Sequence, residues 1–198
     1  MNEDLIQKFG FSEMYEWSQI PEHGNKHGRF VQFDPEYPNK IKLCSDFKNI
    51  VGVTTINSTI TSDDPNTWFA KNLFNEYGDI YLKVETLSVG EHQYDQENEM
   101  SYIQTRKWQH YIPIENPQFD NTKEYVKRTN RPEWVRVNLL GKCIVEDDGN
   151  CQPGEYCTLY KGKVKAKQGT VKPATEKSEI KFYVLRRISA KTVLILYK

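Results

Sequence analysis

Arg29-Phe30-Val31-Gln32-Phe33 and Lys40-Ile41-Lys42-Leu43-Cys44 flank a turn, Asp34 to Asn39, that carries Pro35 and Pro38. Apolar and polar residues alternate on both sides, the pattern of strands that each present one face to a core, so the stretch reads as a β-hairpin. Working outward, the same signal recurs. Asn49 to Thr55 (NIVGVTT) reads as a buried strand, Asp79 to Val89 (DIYLKVETLSV) alternates again, and Val135 to Val145 (VRVNLLGKCIV) is a third candidate. Glu146-Asp147-Asp148-Gly149-Asn150 is a turn sequence with glycine where a positive φ is wanted. Ile180 to Arg187 and Thr192 to Tyr197 close the chain as two more strands. Short alternating strands between frequent turns predict a mainly β fold, an antiparallel sandwich or barrel-like domain with at most short helices.

Two stretches depart from that rhythm. Asp64-Pro65-Asn66-Thr67-Trp68 followed by FAKNLFNEYG predicts a short capped helix or packed loop ending at Gly78. Residues 90–131 are polar and interrupted by Pro113 and Pro117, which predicts a long loop excursion of the kind that serves function or binds a partner. Residues 1–9 place Leu5, Ile6 and Phe9 on one helical face and read as an upstream junction or stalk remnant, leaving 10–198 as the β domain.

The 198 residues suffice for one domain or two small ones at about 150 residues per domain, and 13% aromatic content argues against disorder. No apolar run approaches the roughly 18 residues of a membrane span, and Asp4, Gln7 and Lys8 break any signal peptide, so synthesis in a cytoplasm is expected. The balanced net charge hides an asymmetry: residues 1–99 hold 8 basic against 17 acidic side chains, residues 100–198 hold 19 against 10. Lys161, Lys163, Lys165 and Lys167 spread the positive charge over one face. Two mutually attracting halves, within or between chains, account for this better than a nucleic-acid partner.

Chemical motifs are sparse. Gly141-Lys142 lacks the upstream glycine and following Ser or Thr of a phosphate loop, and no dinucleotide, nucleophile-elbow or zinc-protease motif occurs. No cofactor is therefore expected, with nucleotide binding left open. Cys44, Cys143, Cys151 and Cys157 form no C-x2-C pair, so free buried thiols are expected and no metal site. His23 and His27 are four apart, but Pro21, Gly24 and Gly28 deny them a shared helix face. What remains is a carboxylate pair in Gly10-Phe11-Ser12-Glu13-Met14-Tyr15-Glu16-Trp17. Glutamates so spaced usually form a solvated face, but the aromatic neighbours here would desolvate them toward proton transfer.

At this segment the sequence resembles a known family: the C-terminal auto-processing, intramolecular-chaperone domain of bacteriophage tail spikes and preneck appendages, a glutamic-type peptidase. The resemblance rests on Glu13-Met14-Tyr15-Glu16-Trp17, Gly28-Arg29-Phe30-Val31, Ile50-Val51-Gly52-Val53, Trp68 with Glu76-Tyr77-Gly78, Arg131-Pro132-Glu133-Trp134, Leu139-Leu140-Gly141-Lys142, Asp147-Asp148-Gly149 and Tyr183-Val184-Leu185-Arg186-Arg187-Ile188. It implies a homotrimer that nucleates folding of an upstream spike or fibre segment in a virion-associated appendage and then cuts itself away, at most a single-turnover enzyme. A non-cleaving structural tip that binds a host receptor or glycan is the alternative.

The family cuts between Ser and Asp, with a glutamate three residues after that Asp as the catalytic carboxylate. Aligned on Trp17, the resemblance makes Glu13 that glutamate, but the junction holds Phe9 and Gly10 in place of Ser and Asp. A second register shifts the same spacing by three, onto Ser12, Glu13 and Glu16. The chemistry there would need one carboxylate as base and another to protonate the leaving nitrogen. Arg131 could pair with an acidic neighbour or a cleavage carboxylate; Trp68 and Trp134 are expected as core anchors, and Asp147-Asp148-Gly149 as a hairpin turn.

Overall fold

The hairpin quoted above forms as read, β2 and β3 of a chain whose regular structure is almost entirely strand. The computed structural model describes residues 10–22, 25–63, 65, 67–95, 97, 99–161 and 164–197. The upstream junction 1–9, with Leu5, Ile6 and Phe9, and the positions of His23 and Lys163 lie outside the described residues. The strands are β1 (Phe11–Trp17), β2 (Phe30–Phe33), β3 (Lys40–Leu43), β4 (Ile50–Thr55), β5 (Ile60–Ser62), β6 (Leu82–Asp95), β7 (Met100–Pro113), β8 (Trp134–Glu146), β9 (Tyr156–Leu159), β10 (Val171–Pro173), β11 (Phe182–Ser189) and β12 (Thr192–Tyr197). The chain falls into two compact units, residues 1–64 with 126–198, and residues 65–125.

The first unit is built around β8. Ten strands pair in the order β10-β9-β11-β12-β8-β4-β2-β3-β1-β5, and β1 returns to pair with β8. That extra pairing closes β8, β4, β2, β3 and β1 into a five-stranded barrel, which leaves those strands no open edge. Most pairs are antiparallel, but β1 runs parallel to both β3 and β5. The first half of β8 pairs with β1 and β4, and its second half pairs with β12 from Thr192↔Glu146 to Tyr197↔Gly141. One long strand thus belongs to the barrel and to the sheet that continues from it.

Alternation sorts side chains between two cores. On β2, Phe30 and Val31 point to opposite faces and both are fully buried. Phe30 enters the larger cluster, with Val53, Val145, Leu159, Val184 and Ile195, and stacks on Phe182 with ring centroids 4.7 Å apart. Val31 joins Trp17, Ile41, Val135 and Val137 inside the barrel. Gly52 of β4 has its own packing reason, because a Cβ there would stand 2.2 Å from the Asn138 carbonyl oxygen of β8.

The second unit corrects the expected loop. β6 and β7 pair without interruption from Leu82↔Pro113 to Asp95↔Met100, so much of the 90–131 stretch is strand. Its polarity concealed it from a search for a buried face: among the described residues these two strands pair only with each other, and Leu82, Val84, Leu87, Val89, Ile103, Trp108 and Tyr111 are all exposed. Where a short capped helix or a packed loop was expected after Trp68, the chain makes a single 3-10 turn, Phe69–Lys71, with no side-chain cap. Gly78 does end that segment, at φ +87°, and Trp68 packs edge-on against Tyr125 at 5.4 Å.

Candidate functional site

The Gly10–Trp17 segment is strand β1 with its lead-in, and strand geometry decides what its candidate residues can meet. Successive side chains on a strand point to opposite faces. Ser12 and Glu13 therefore diverge, as do Glu13 and Glu16, while Ser12 and Glu16 share a face but lie about 13 Å apart along the strand. Each has its own partners. Ser12 is fully buried, its hydroxyl 2.6 Å from Ser58 Oγ, 3.2 Å from Thr61 Oγ1 and donating to the Ile60 carbonyl at 3.2 Å. Glu13 Oε2 accepts the Tyr15 hydroxyl at 3.0 Å. Glu16 stands beside Lys40 in the parallel register, and its Oε1 takes the ammonium at 2.6 Å. Burial first, and the Glu13 carboxylate second, push the Tyr15 hydroxyl up to about 12.

The structure brings Gly10 to an unforeseen partner. Its φ is +75°, and a Cβ built there would lie 2.3 Å from the Leu140 carbonyl oxygen and 2.5 Å from the Asn138 amide. Gly141, at φ +103°, packs against the Gly10 Cα from the opposite strand. The Gly10 carbonyl accepts the backbone N–H groups of Thr59 and Ile60 at 3.1 and 3.4 Å. Position 10 therefore suits glycine and has no room for an aspartate.

The remaining motif positions form a framework. Arg29 is almost wholly buried; its Nε donates to Glu146 Oε2 at 2.9 Å, and its Nη1 donates to the Ala166 and Gln168 carbonyls, both at 2.9 Å. One residue on, Asp147 is buried and takes Arg187 Nη2 at 2.9 Å and Nη1 at 3.3 Å. Asp147-Asp148-Gly149 is thus no hairpin turn: it ends β8, whose partner is β12, and supplies a buried ion-pair partner to β11. Trp134 is half-buried, with the Arg128 guanidinium 4.0 Å and that of Arg131 5.4 Å from its ring centre. Arg131 reaches its near neighbour Glu133 at 4.0 Å. The barrel's tryptophan anchor is Trp17, not Trp134.

Asp147, Asp148 and Cys151 bring ligand atoms within 4.8 Å of one another, and Arg187 pairs with Asp147 at 2.9 Å. All four cysteines are buried and free. No helix among the described residues is long and apolar enough to cross a membrane.

A five-stranded β barrel, continued through β8 into the strands β12, β11, β9 and β10, carries the Gly10–Trp17 segment at its seam between β3, β5 and β8. The chain belongs to the family of IMC (intramolecular-chaperone) autoproteolytic cleavage domains, Peptidase_G2, whose profile matches residues 6–185. It is 26% identical over 117 residues to the preneck appendage protein of Bacillus phage PZA, which covers 59% of this chain and 12% of that protein. Its fold is similar to the pre-mature gene product 12 of bacteriophage phi29, with TM-score 0.61 and 20% identity over 97% of this chain and 22% of the other. The C-terminal fragment of the same phi29 protein gives TM-score 0.60 and 20% identity, covering 95% of this chain and 99% of the fragment.

Proposed function

We propose that this domain is the C-terminal trimerisation and folding domain of a phage fibre or appendage, carried on the virion, and that its Phe9–Gly10 junction is not cut. The observation that carries the assembly reading is the β6–β7 ribbon. Two 14-residue strands pair only with each other among the described residues, with aliphatic and aromatic side chains exposed along them. An isolated two-stranded sheet is marginal in water. Exposed apolar side chains on both faces of such a ribbon support a partner, here the sister chains and the upstream segment. Three pre-assembled domains would raise the effective concentration of the chains that precede them, offsetting the entropy of bringing a β fibre into register.

The intact junction rests on Gly10. The strand-end geometry excludes the Asp side chain that the family's chemistry uses, and Ser12, Glu13 and Glu16 are held apart on β1. The deciding experiment expresses residues 1–198 with the upstream fibre segment, and the same protein with 10–198 deleted. Soluble trimer with one uncut mass from the full protein, and aggregate or monomer from the deletion, are expected. Normal trimers from the deleted protein would overturn the assembly reading.

A further inference from the structure

We infer, resting on the trimeric reading above, that copies of this chain meet through an exposed apolar row, Ile60, Phe11 and Leu140, at the barrel seam, so that the three-fold axis runs past Gly10. Register puts the three side chains next to one another. Phe11 of β1 stands opposite Ile60 of β5 on one side and Leu140 of β8 on the other. Residues so paired lie about 5 Å apart, so the three form one patch. All three are exposed, Ile60 and Leu140 by more than half.

The patch continues in both directions. Lys142, exposed like Leu140 two residues before it, stands opposite Leu196 of β12. Leu196 in turn stands opposite Tyr183 of β11, and Tyr183 opposite Tyr156 of β9. Both tyrosines are exposed, and their rings pack edge to face with centres 5.5 Å apart. On the other side the row reaches β5, which ends the strand order and, among the described residues, leaves an open sheet edge. An apolar row beside an open strand edge is a surface suited to another chain.

The point of chain entry says which chain. Three upstream chains that form one fibre run close to its axis, and each leaves that axis where it enters its own domain. The family profile begins at residue 6, and the four-residue step from there to Gly10 reaches at most about 14 Å even when fully extended. Gly10 is itself a fixed point: Gly141 packs against its Cα, and its carbonyl accepts the N–H groups of Thr59 and Ile60. Phe11 follows it directly, with Ile60 and Leu140 alongside. Each domain therefore presents this row toward the axis, and what faces it across the axis is the same region of the next copy.

The symmetry supplies the test, because a charge placed near the axis meets its own copies. In the full 198-residue chain, Ile60→Glu combined with Leu140→Glu should weaken association at least about tenfold in sedimentation equilibrium. Tyr37→Glu, at a comparably exposed position on the β2–β3 turn, should leave association unchanged. Thermal melting of the double variant should match that of the unaltered chain, since both substituted side chains are exposed. Where it melts early, a second measurement reads the contact without added charge: Leu140→benzoylphenylalanine is irradiated in an equal mixture of isotope-labelled and unlabelled chains. Mixed-label adducts are expected, joined at the strand segments around Phe11, Ile60 or Leu140 of the other copy. A normally melting double variant that associates undiminished, adducts that map elsewhere, or adducts confined to one chain overturn this contact and leave the trimeric reading standing. A monomeric unaltered chain overturns both.

Discussion

Arg29 and Glu146, 117 residues apart in sequence, form an ion pair at 2.9 Å, the guanidinium buried and the carboxylate partly exposed, that ties the segment entering β2 to the end of β8. The guanidinium also satisfies two carbonyls, so a single side chain joins three segments. Arg29→Ala would leave a carboxylate and two carbonyls without their donor, and should cost about 3–5 kcal/mol. Arg29→Lys should also destabilise, because an ammonium does not reproduce the planar fork. Denaturant unfolding of both variants checks this, and a loss below about 1 kcal/mol for the alanine would show that the pair is dispensable.

Gly10 should tolerate no side chain. Gly10→Asp, which restores the family's residue at the junction, places a Cβ against Leu140 and Asn138 at a positive φ. The expected result is destabilisation by at least 1–3 kcal/mol on the order of a strained residue, with no cleavage gained. Intact mass and thermal melting read the two effects separately. A stable Phe9→Ser, Gly10→Asp double variant that cuts itself would show that the seam accommodates an acid.

The shifted register makes a separate prediction. Ser12 sits in a hydroxyl cluster with Ser58 and Thr61, so Ser12→Ala should cost about 1 kcal/mol through its lost hydrogen bonds and leave the chain uncut, as the unaltered one is expected to be. Cleavage ahead of Glu13 in the unaltered chain, abolished by Ser12→Ala or Glu16→Gln, would instead make these residues catalytic.

Trimerisation should depend on the ribbon. Trp108 pairs opposite Leu87 and is exposed, and changing it to Glu should weaken the trimer while leaving the barrel's melting transition in place. Light scattering should give three times the chain mass for the unaltered protein. In 1 M salt, where the screening length is about 3 Å, association should weaken if the acidic and basic halves face each other between chains.

His27 should make stability fall on acidification. Burial first, and nearby Lys26 next, hold its imidazole below the usual histidine range. Below about pH 6.5 the unfolded chain therefore binds more protons at this position than the folded one, so stability drops as pH falls from there toward the folded value. His27→Gln should flatten that slope in denaturant titrations at pH 7.5 and 5.5, and an unchanged slope would assign it to other groups.

Local pattern made much of the fold legible. The β2–β3 hairpin follows from alternation, a period of two, whereas β4 and β12 read as short apolar runs buried on both faces, three consecutive residues in each. β7 escaped that reasoning: a ribbon exposed on both faces imposes no such period, and its β-branched and aromatic residues were the one remaining signal. The ion pairs of Arg29 and Arg187 were equally invisible, since Glu146 and Asp147 read as a turn until β12 is seen beside β8.

For the candidate site, the sequence determined which residues occupy the junction and that Ser and Asp are replaced by Phe9 and Gly10. It left two registers open, because spacing along a chain says nothing of direction in space. Only the tertiary structure decided that β1 is a strand clamped between β3, β5 and β8. That clamping sends Ser12, Glu13 and Glu16 to separate partners and presses Gly10 against Leu140 and Gly141. The physical reason is the pleat: neighbours in sequence diverge by half a turn, and it is the strands alongside, drawn from distant parts of the chain, that fill the space each side chain enters.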